Sequence, residues 1–183
     1  MKQDKVKNEI TEVLITKAQI DQKVAELASA IDAKYAGKEL LLVGVLKGAV
    51  MFMADLSRAM QIPVSMDWMA LSSYGSGTVS SGVIRILKDL DAEIHGKHVL
   101  IVEDIIDSGL TLSWLAGTLE ARGAASVEVV ALLRKPAAAK VEVNVSLVGF
   151  DIPNEFVVGY GLDYNEHYRN LEDVAILDPK VYQ

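Results

Sequence analysis

The 183-residue chain contains no cysteine. That excludes a disulfide framework and thiolate metal centres, and it fits a reducing cytoplasm, where the protein is expected. Long hydrophobic runs are missing as well. None approaches the roughly 18 residues of a membrane span, and the opening MKQDKVKNEI is too polar for a secretory signal. Positive charge is scarce: 18 Lys and Arg face 25 Asp and Glu, a net charge of −7. Such a surface is ill suited to wrapping a nucleic-acid backbone, so neither nucleic acid nor a membrane is expected as a partner. A small anionic substrate stays open, wherever local cations or a divalent ion offset the field. There are only four prolines, and 51% of the residues are apolar. This is a globular composition, of a length that suits one domain with one core.

The patterning is that of an α/β protein. After a short strand at Val13 to Ile15, Thr16-Lys-Ala-Gln19 reads as a capping box. Ile20, Val24, Leu27 and Ile31 then recur at helical spacing, with Gly37 as a stop. LLLVGVL (40–46) is a continuous apolar run, as expected of a strand covered on both faces. A helix over Ala49 to Met60 and an alternating strand from Pro63 follow. SSYGSGTVSSG (72–82) is small, polar and aperiodic, hence a loop, and Val83 to Leu87 a returning strand. HVLIVED (98–104) is another buried strand, Leu112 to Arg122 a helix closed by Gly123, and Val127 to Leu133 a third buried strand. Val141 to Phe150 reads as extended. Strands alternating with helices imply right-handed crossovers and a mostly parallel twisted sheet flanked by helices.

One stretch carries chemistry. VEDIIDSGLT (102–111) crowds Glu103, Asp104 and Asp107 around a strand end and ends in Ser108, Gly109, Leu110 and Thr111. In open α/β sheets, ligands sit beyond the carboxyl ends of the strands. A glycine with positive φ would let the amides of 108–111 converge on a phosphate at a helix N-terminus. Capping of that helix by Asp107 or Ser108 is the plainer alternative. It accounts for one of these residues, whereas phosphate binding accounts for the set. His95, His98 and His167 have no ligand-like or triad-like partners in the sequence and are assigned no chemistry.

This motif resembles the phosphoribosyl-pyrophosphate (PRPP) motif of type I phosphoribosyltransferases. LKG (46–48), SSYG (72–75), LLRKP (132–136) and VGFDIPNEFVVGYGLDYNEHYRNL (148–171) resemble, in order, segments of the bacterial hypoxanthine-guanine phosphoribosyltransferases. The match spans nearly the whole chain. It implies one domain, with a core over about 10–150 and a small hood over the base, built largely from 150–183 with an N-terminal contribution. The implied reaction is purine salvage: 5-phosphoribose passes from PRPP to hypoxanthine or guanine, giving IMP or GMP and pyrophosphate. The resemblance further implies magnesium as cofactor and a homodimer or homotetramer.

The residue roles implied by the resemblance are specific. Glu103 and Asp104 would hold the ribose hydroxyls and a magnesium ion, and Asp163 a second one. Asp107 would face purine N7 as general base or proton carrier, and Asp107 to Thr111 would cradle the 5′-phosphate. Lys47, Gly48, Ser73, Tyr74 and Arg169 would bind pyrophosphate, with the Leu46–Lys47 peptide cis. Lys135 would donate to O6, Phe156 would stack on the base, and the carbonyls of Val157 and Asp163 would accept from guanine. Ser72 and Leu110 stand where some relatives carry lysine. Two other readings stay open: a non-catalytic PRPP-binding transcriptional regulator of the same fold, and a phosphoribosyltransferase that prefers xanthine.

Overall fold

The computed structural model describes residues 1–73 and 84–182. Most of the glycine- and serine-rich segment, including Tyr74 and the Val83 start of the returning strand, lies outside the described residues.

Six strands form the main sheet, in the order β4-β3-β2-β5-β6-β7. They are β2 (Leu40–Leu46), β3 (Val64–Ser73), β4 (Ile84–Lys88), β5 (His98–Ile106), β6 (Ser126–Arg134) and β7 (Val145–Asp151). All pairings are parallel except β3 with β4, which is antiparallel at one edge. The continuous apolar runs follow from two-sided burial. Leu40, Leu42, Leu100, Val102, Val130 and Leu132 join one core with helices α1 (Lys17–Tyr35) and α2 (Val50–Ala59). The alternate residues Leu41, Val43, Val99, Ile101, Val129 and Ala131 join a second core with helix α3 (Leu110–Ala121). Successive side chains of a strand point to opposite faces, so a sheet with helices on both sides demands apolar residues at every position. The expected capping box starts α1: the Thr16 amide donates to Gln19 Oε1 at 2.9 Å, and the Thr16 side chain accepts from the Gln19 amide.

A second, antiparallel sheet has the order β1-β9-β8, with β1 (Ile10–Ile15), β8 (Val157–Val158) and β9 (Val174–Leu177). It joins the start of the chain to its last third, and a four-residue α4 (Pro179–Tyr182) follows.

Several boundaries differ from expectation. β1 begins three residues before Val13, because Ile10 already pairs with Leu177. Ser72 and Ser73 belong to β3, where they pair with Arg85 and Ile84, and not to a loop. β5 continues through Ile106, held by Ile105 and Ile106 against Leu133 and Arg134 of β6. Glu103 and Asp104 therefore lie just inside the strand and not at its end. α3 begins at Leu110, two residues early. β7 begins only at Val145, so 141–144 are not strand.

Candidate active site

The site lies beyond the carboxyl ends of three neighbouring parallel strands. β2 ends into Lys47-Gly48, β5 into Asp107, and β6 into Lys135. The Leu46–Lys47 peptide is cis. Adjacent parallel strands stagger their ends little, so three loops distant in sequence meet along one edge.

At the end of β5 the chain turns into α3 through Gly109, which takes φ +78° as the residue before the helix. Gly109 offers α3 no side-chain cap, but Ser108 Oγ accepts from the Leu110 amide at 3.5 Å. Capping thus accounts for Ser108 at most and leaves Asp107 and the rest of the set unexplained. The loop is concave: Glu103, Ile105, Ile106, Asp107, Ser108, Gly109, Thr111 and Leu112 line a cavity of about 130 Å³. Thr111 and Leu110 sit exposed in the first helical turn. A backbone turn of this kind at a helix N-terminus presents several N–H groups and the positive end of the dipole to the same point.

Glu103 and Asp104 are costly to hold here. Glu103 Oε2 is enclosed without a hydrogen-bond partner. Burial, and then the charge of Asp104, push the Glu103 carboxyl well above the ordinary range. Burial also pushes Asp104 up, to about 6, against the Ile105 amide that donates to its Oδ1 at 2.7 Å and the more distant Arg169 charge. The Asp104 carboxylate lies against Gly48: a Cβ there would stand 1.6 Å from Oδ2. Any side chain at 48 would have to displace the Asp104 carboxylate where β2's loop meets β5's acids. Among the described residues, no three of His, Cys, Asp and Glu converge as a ready-made metal cluster.

The raised carboxyls set a pH-dependent stability. A carboxyl whose folded pKa lies above its unfolded value favours folding at low pH, and that contribution is lost as pH rises through the folded pKa. For Asp104 the window runs from its ordinary value of 3.8 to about 6. Asp104→Asn, which removes the charge and keeps an acceptor for Ile105, should stabilise the ligand-free protein at pH 7.5. A gain of about 1–3 kcal/mol corresponds to one or two pKa units, and it should vanish near pH 4. Denaturant unfolding at both pH values is the check; equal effects at the two would show that desolvated charge is not the cause.

Lys135 is buried, 8% exposed, and its Nζ lies 3.8 Å from Asp107 Oδ2. Its amide donates to the Ile106 carbonyl at 2.9 Å, which locks the β6 end to the β5 end. Ile106, Asp107, Arg134, Lys135, Val141 and Val143, among others, line an adjoining cavity of about 300 Å³. An ammonium and a carboxylate thus stand side by side at one rim.

The 156–169 segment supplies the remaining groups. Phe156 is 38% exposed and so is no core residue. Its ring meets Tyr182 at 5.0 Å and Tyr164 at 5.8 Å between centroids. Val157 is buried in β8. Arg169 donates from Nη1 to the Gly161 carbonyl at 2.8 Å and contacts Asp163 Oδ1 from Nη2 at 2.9 Å. Gly161, at φ +101°, packs on the 46–49 loop so closely that a Cβ would lie 2.0 Å from the Gly48 carbonyl. Lys47 and Arg169 are brought together through Glu166, whose Oε1 is 3.0 Å from Lys47 Nζ. Glu166 received no role from the sequence, although an acid three residues before Arg169 was a visible signal. Tyr182 was missed too, for it reaches Phe156 only through the fold. Ser73 ends β3, and Tyr74 lies outside the described residues.

Comparison with known proteins decides the family. The phosphoribosyl transferase domain model matches residues 12–165. The chain belongs to the phosphoribosyltransferase family. It is 56% identical to hypoxanthine-guanine phosphoribosyltransferase of Mycobacterium tuberculosis, over 96% of this chain and 90% of that one. The corresponding Bacillus subtilis enzyme is 48% identical, over 97% and 99%. A solved hypoxanthine phosphoribosyltransferase from Staphylococcus aureus superposes with a TM-score of 0.94 at 45% identity, covering 97% of both chains. The mostly parallel, helix-flanked sheet is the type I phosphoribosyltransferase fold expected from the sequence. No helix among the described residues is long and apolar enough to cross a membrane.

Proposed function

We propose that this phosphoribosyltransferase moves 5-phosphoribose from PRPP to hypoxanthine or guanine, releasing pyrophosphate. The observation that supports this most directly is the Lys135–Asp107 pair, 3.8 Å apart beside the 106–112 loop. A 6-oxopurine presents O6, an acceptor, next to N7, which carries a proton in one tautomer. An ammonium beside a carboxylate complements that edge. As purine N9 bonds to ribose C1, the C1–O bond to pyrophosphate breaks and the N7 proton passes to Asp107. Asp107 to Thr111 hold the 5′-phosphate, Glu103 and Asp104 the ribose hydroxyls. Lys47, Gly48, Ser73, Tyr74 and Arg169 grip pyrophosphate. Phe156 stacks on the base under the small antiparallel sheet as hood, and the carbonyls of Val157 and Asp163 accept from guanine's amino group.

Magnesium belongs to the same proposal. The donor set fits it: Glu103 carries an unpartnered buried oxygen beside a second carboxylate, and Asp163 stands near Arg169. Magnesium is held by one or two carboxylates plus substrate oxygens, so no preassembled cluster is needed. When bound, it offsets the charge on the pyrophosphate leaving group. Self-association as a dimer or tetramer in the cytoplasm completes the reading. A solved Trypanosoma cruzi relative addresses the C-terminal region's role in oligomeric state and activity.

Pyrophosphate release with PRPP and each of hypoxanthine, guanine, xanthine and adenine, with and without magnesium, tests the proposal. Release with the first two and only with magnesium is expected. Binding of PRPP without turnover of any purine would leave a regulator instead.

A further inference from the structure

Lys47 and Arg169 lie far apart in the sequence, yet one carboxylate serves both. Glu166 Oε1 lies 3.0 Å from Lys47 Nζ, and its Oε2 lies 3.4 Å from Arg169 Nη2. Each oxygen takes one cation, as neighbouring oxygens of a diphosphate could. Both cations hold the Glu166 carboxyl below its ordinary range, Lys47 first. The backbone is bent to place it there. Asn165, Glu166 and Tyr168 all adopt positive φ, at 50°, 65° and 75°. L-residues enter that region rarely, and runs of them mark a segment held by function or by its surroundings. The Glu166 amide also donates to Asp163 Oδ2 at 2.9 Å. The contact to Lys47 is nevertheless weak, because both side chains are 63% exposed and water competes for them. A mainly structural bridge would be enclosed. This one is open to exchange with an incoming anion.

We infer that Glu166 is a built-in counter-anion: it holds Lys47 and Arg169 together in the ligand-free site and gives way when pyrophosphate, or the diphosphate of PRPP, binds there. This rests on the reading that those two cations grip pyrophosphate. Glu166 is then a positioning residue with two effects. It keeps two flexible cations converged, which lowers the ordering cost of binding. It also makes binding an exchange of one anion for another, which weakens the bound state and speeds pyrophosphate release. Without it, the site would hold its own product longer.

Calorimetric titration of the full chain with magnesium pyrophosphate at low ionic strength tests this. Glu166→Gln keeps the shape and removes the charge. It should bind pyrophosphate about 3- to 10-fold more tightly, the scale of one or two exposed ion pairs. The gain should appear mainly as slower dissociation and should shrink in high salt. Glu166→Gly, which suits φ +65°, should show the same direction. Arg169→Met should weaken binding in the wild-type background. A merely structural Glu166 would give weaker or unchanged binding in both Glu166 variants while Arg169→Met still weakens it, and that result overturns the inference alone. If Arg169→Met and Lys47→Met bind pyrophosphate as the wild type does, the pyrophosphate site is misread and the inference falls with it.

Discussion

Asp107→Asn should lower turnover by about 10²–10⁴-fold, the usual contribution of a positioned general acid–base, while leaving PRPP affinity near wild type. The proton is separable from the 5′-phosphate, which Asp107 can serve only through its backbone amide, and asparagine keeps that amide. Asp107 is exposed, and among the described residues its carboxylate caps no helix and pairs only with Lys135, at 3.8 Å. Asparagine keeps the size and a polar oxygen facing Lys135, but it cannot take a proton from N7. Folding stability should fall by no more than about 1 kcal/mol, the scale of one partly exposed ion pair with Lys135. Single-turnover rates and unfolding midpoints measured on the same preparation separate the possibilities. Near-normal turnover, or a large stability loss with proportionate loss of activity, would remove Asp107 from the chemistry.

The parts of the molecule that could be read in advance are those whose physics is local. The three central strands were legible because helices on both faces require apolar residues at every position. The start of α1 was legible because Thr16 and Gln19 satisfy each other within one turn. The 103–111 motif stood out because clustered carboxylates, a glycine and hydroxyls are unusual together, and the structure gathers Glu103, Asp107, Ser108, Gly109 and Thr111 around one cavity. The errors fall where long-range pairing decides. β9 was not foreseen, and β1 was cut short, because each is defined by the other across some 160 residues. The start of α3 was misjudged because Gly109 opens the helix by a left-handed turn and leaves no side-chain signal. At the site, Lys47, Lys135, Phe156 and Arg169 read as ordinary surface or core residues by themselves, and the family resemblance assigned their roles. The structure adds what a resemblance cannot: burial of Lys135 beside Asp107, exposure of Phe156, and Glu166 between Lys47 and Arg169.

Lys135→Ala should weaken use of hypoxanthine and guanine by about 10–200-fold in kcat/KM. The lost interaction is a charge-assisted hydrogen bond to O6, worth roughly 1.5–3 kcal/mol, and each 1.4 kcal/mol is about tenfold. Burial gives this residue its weight. The residue as a whole is only 8% exposed, and the only ion-pair partner of its ammonium among the described residues stands 3.8 Å away, beyond hydrogen-bond range. A 6-oxopurine supplies an acceptor there; adenine offers an amino group and leaves the charge unpaired. Discrimination by an unsatisfied buried polar group can reach about 10⁴-fold. Removing the ammonium removes the penalty together with the reward. Adenine should stay a poor substrate, but the ratio against it should shrink. PRPP affinity should change little, because Glu103, Asp104 and the Ser108–Thr111 turn do not depend on the Lys135 side chain, and the Lys135 amide that pins Ile106 is kept in alanine. Initial rates with hypoxanthine, guanine and adenine at saturating PRPP, together with a PRPP titration, distinguish the outcomes. If the variant loses PRPP affinity and keeps its purine preference, Lys135 serves the phosphate side of the site, and base selection must come from the 156–163 segment.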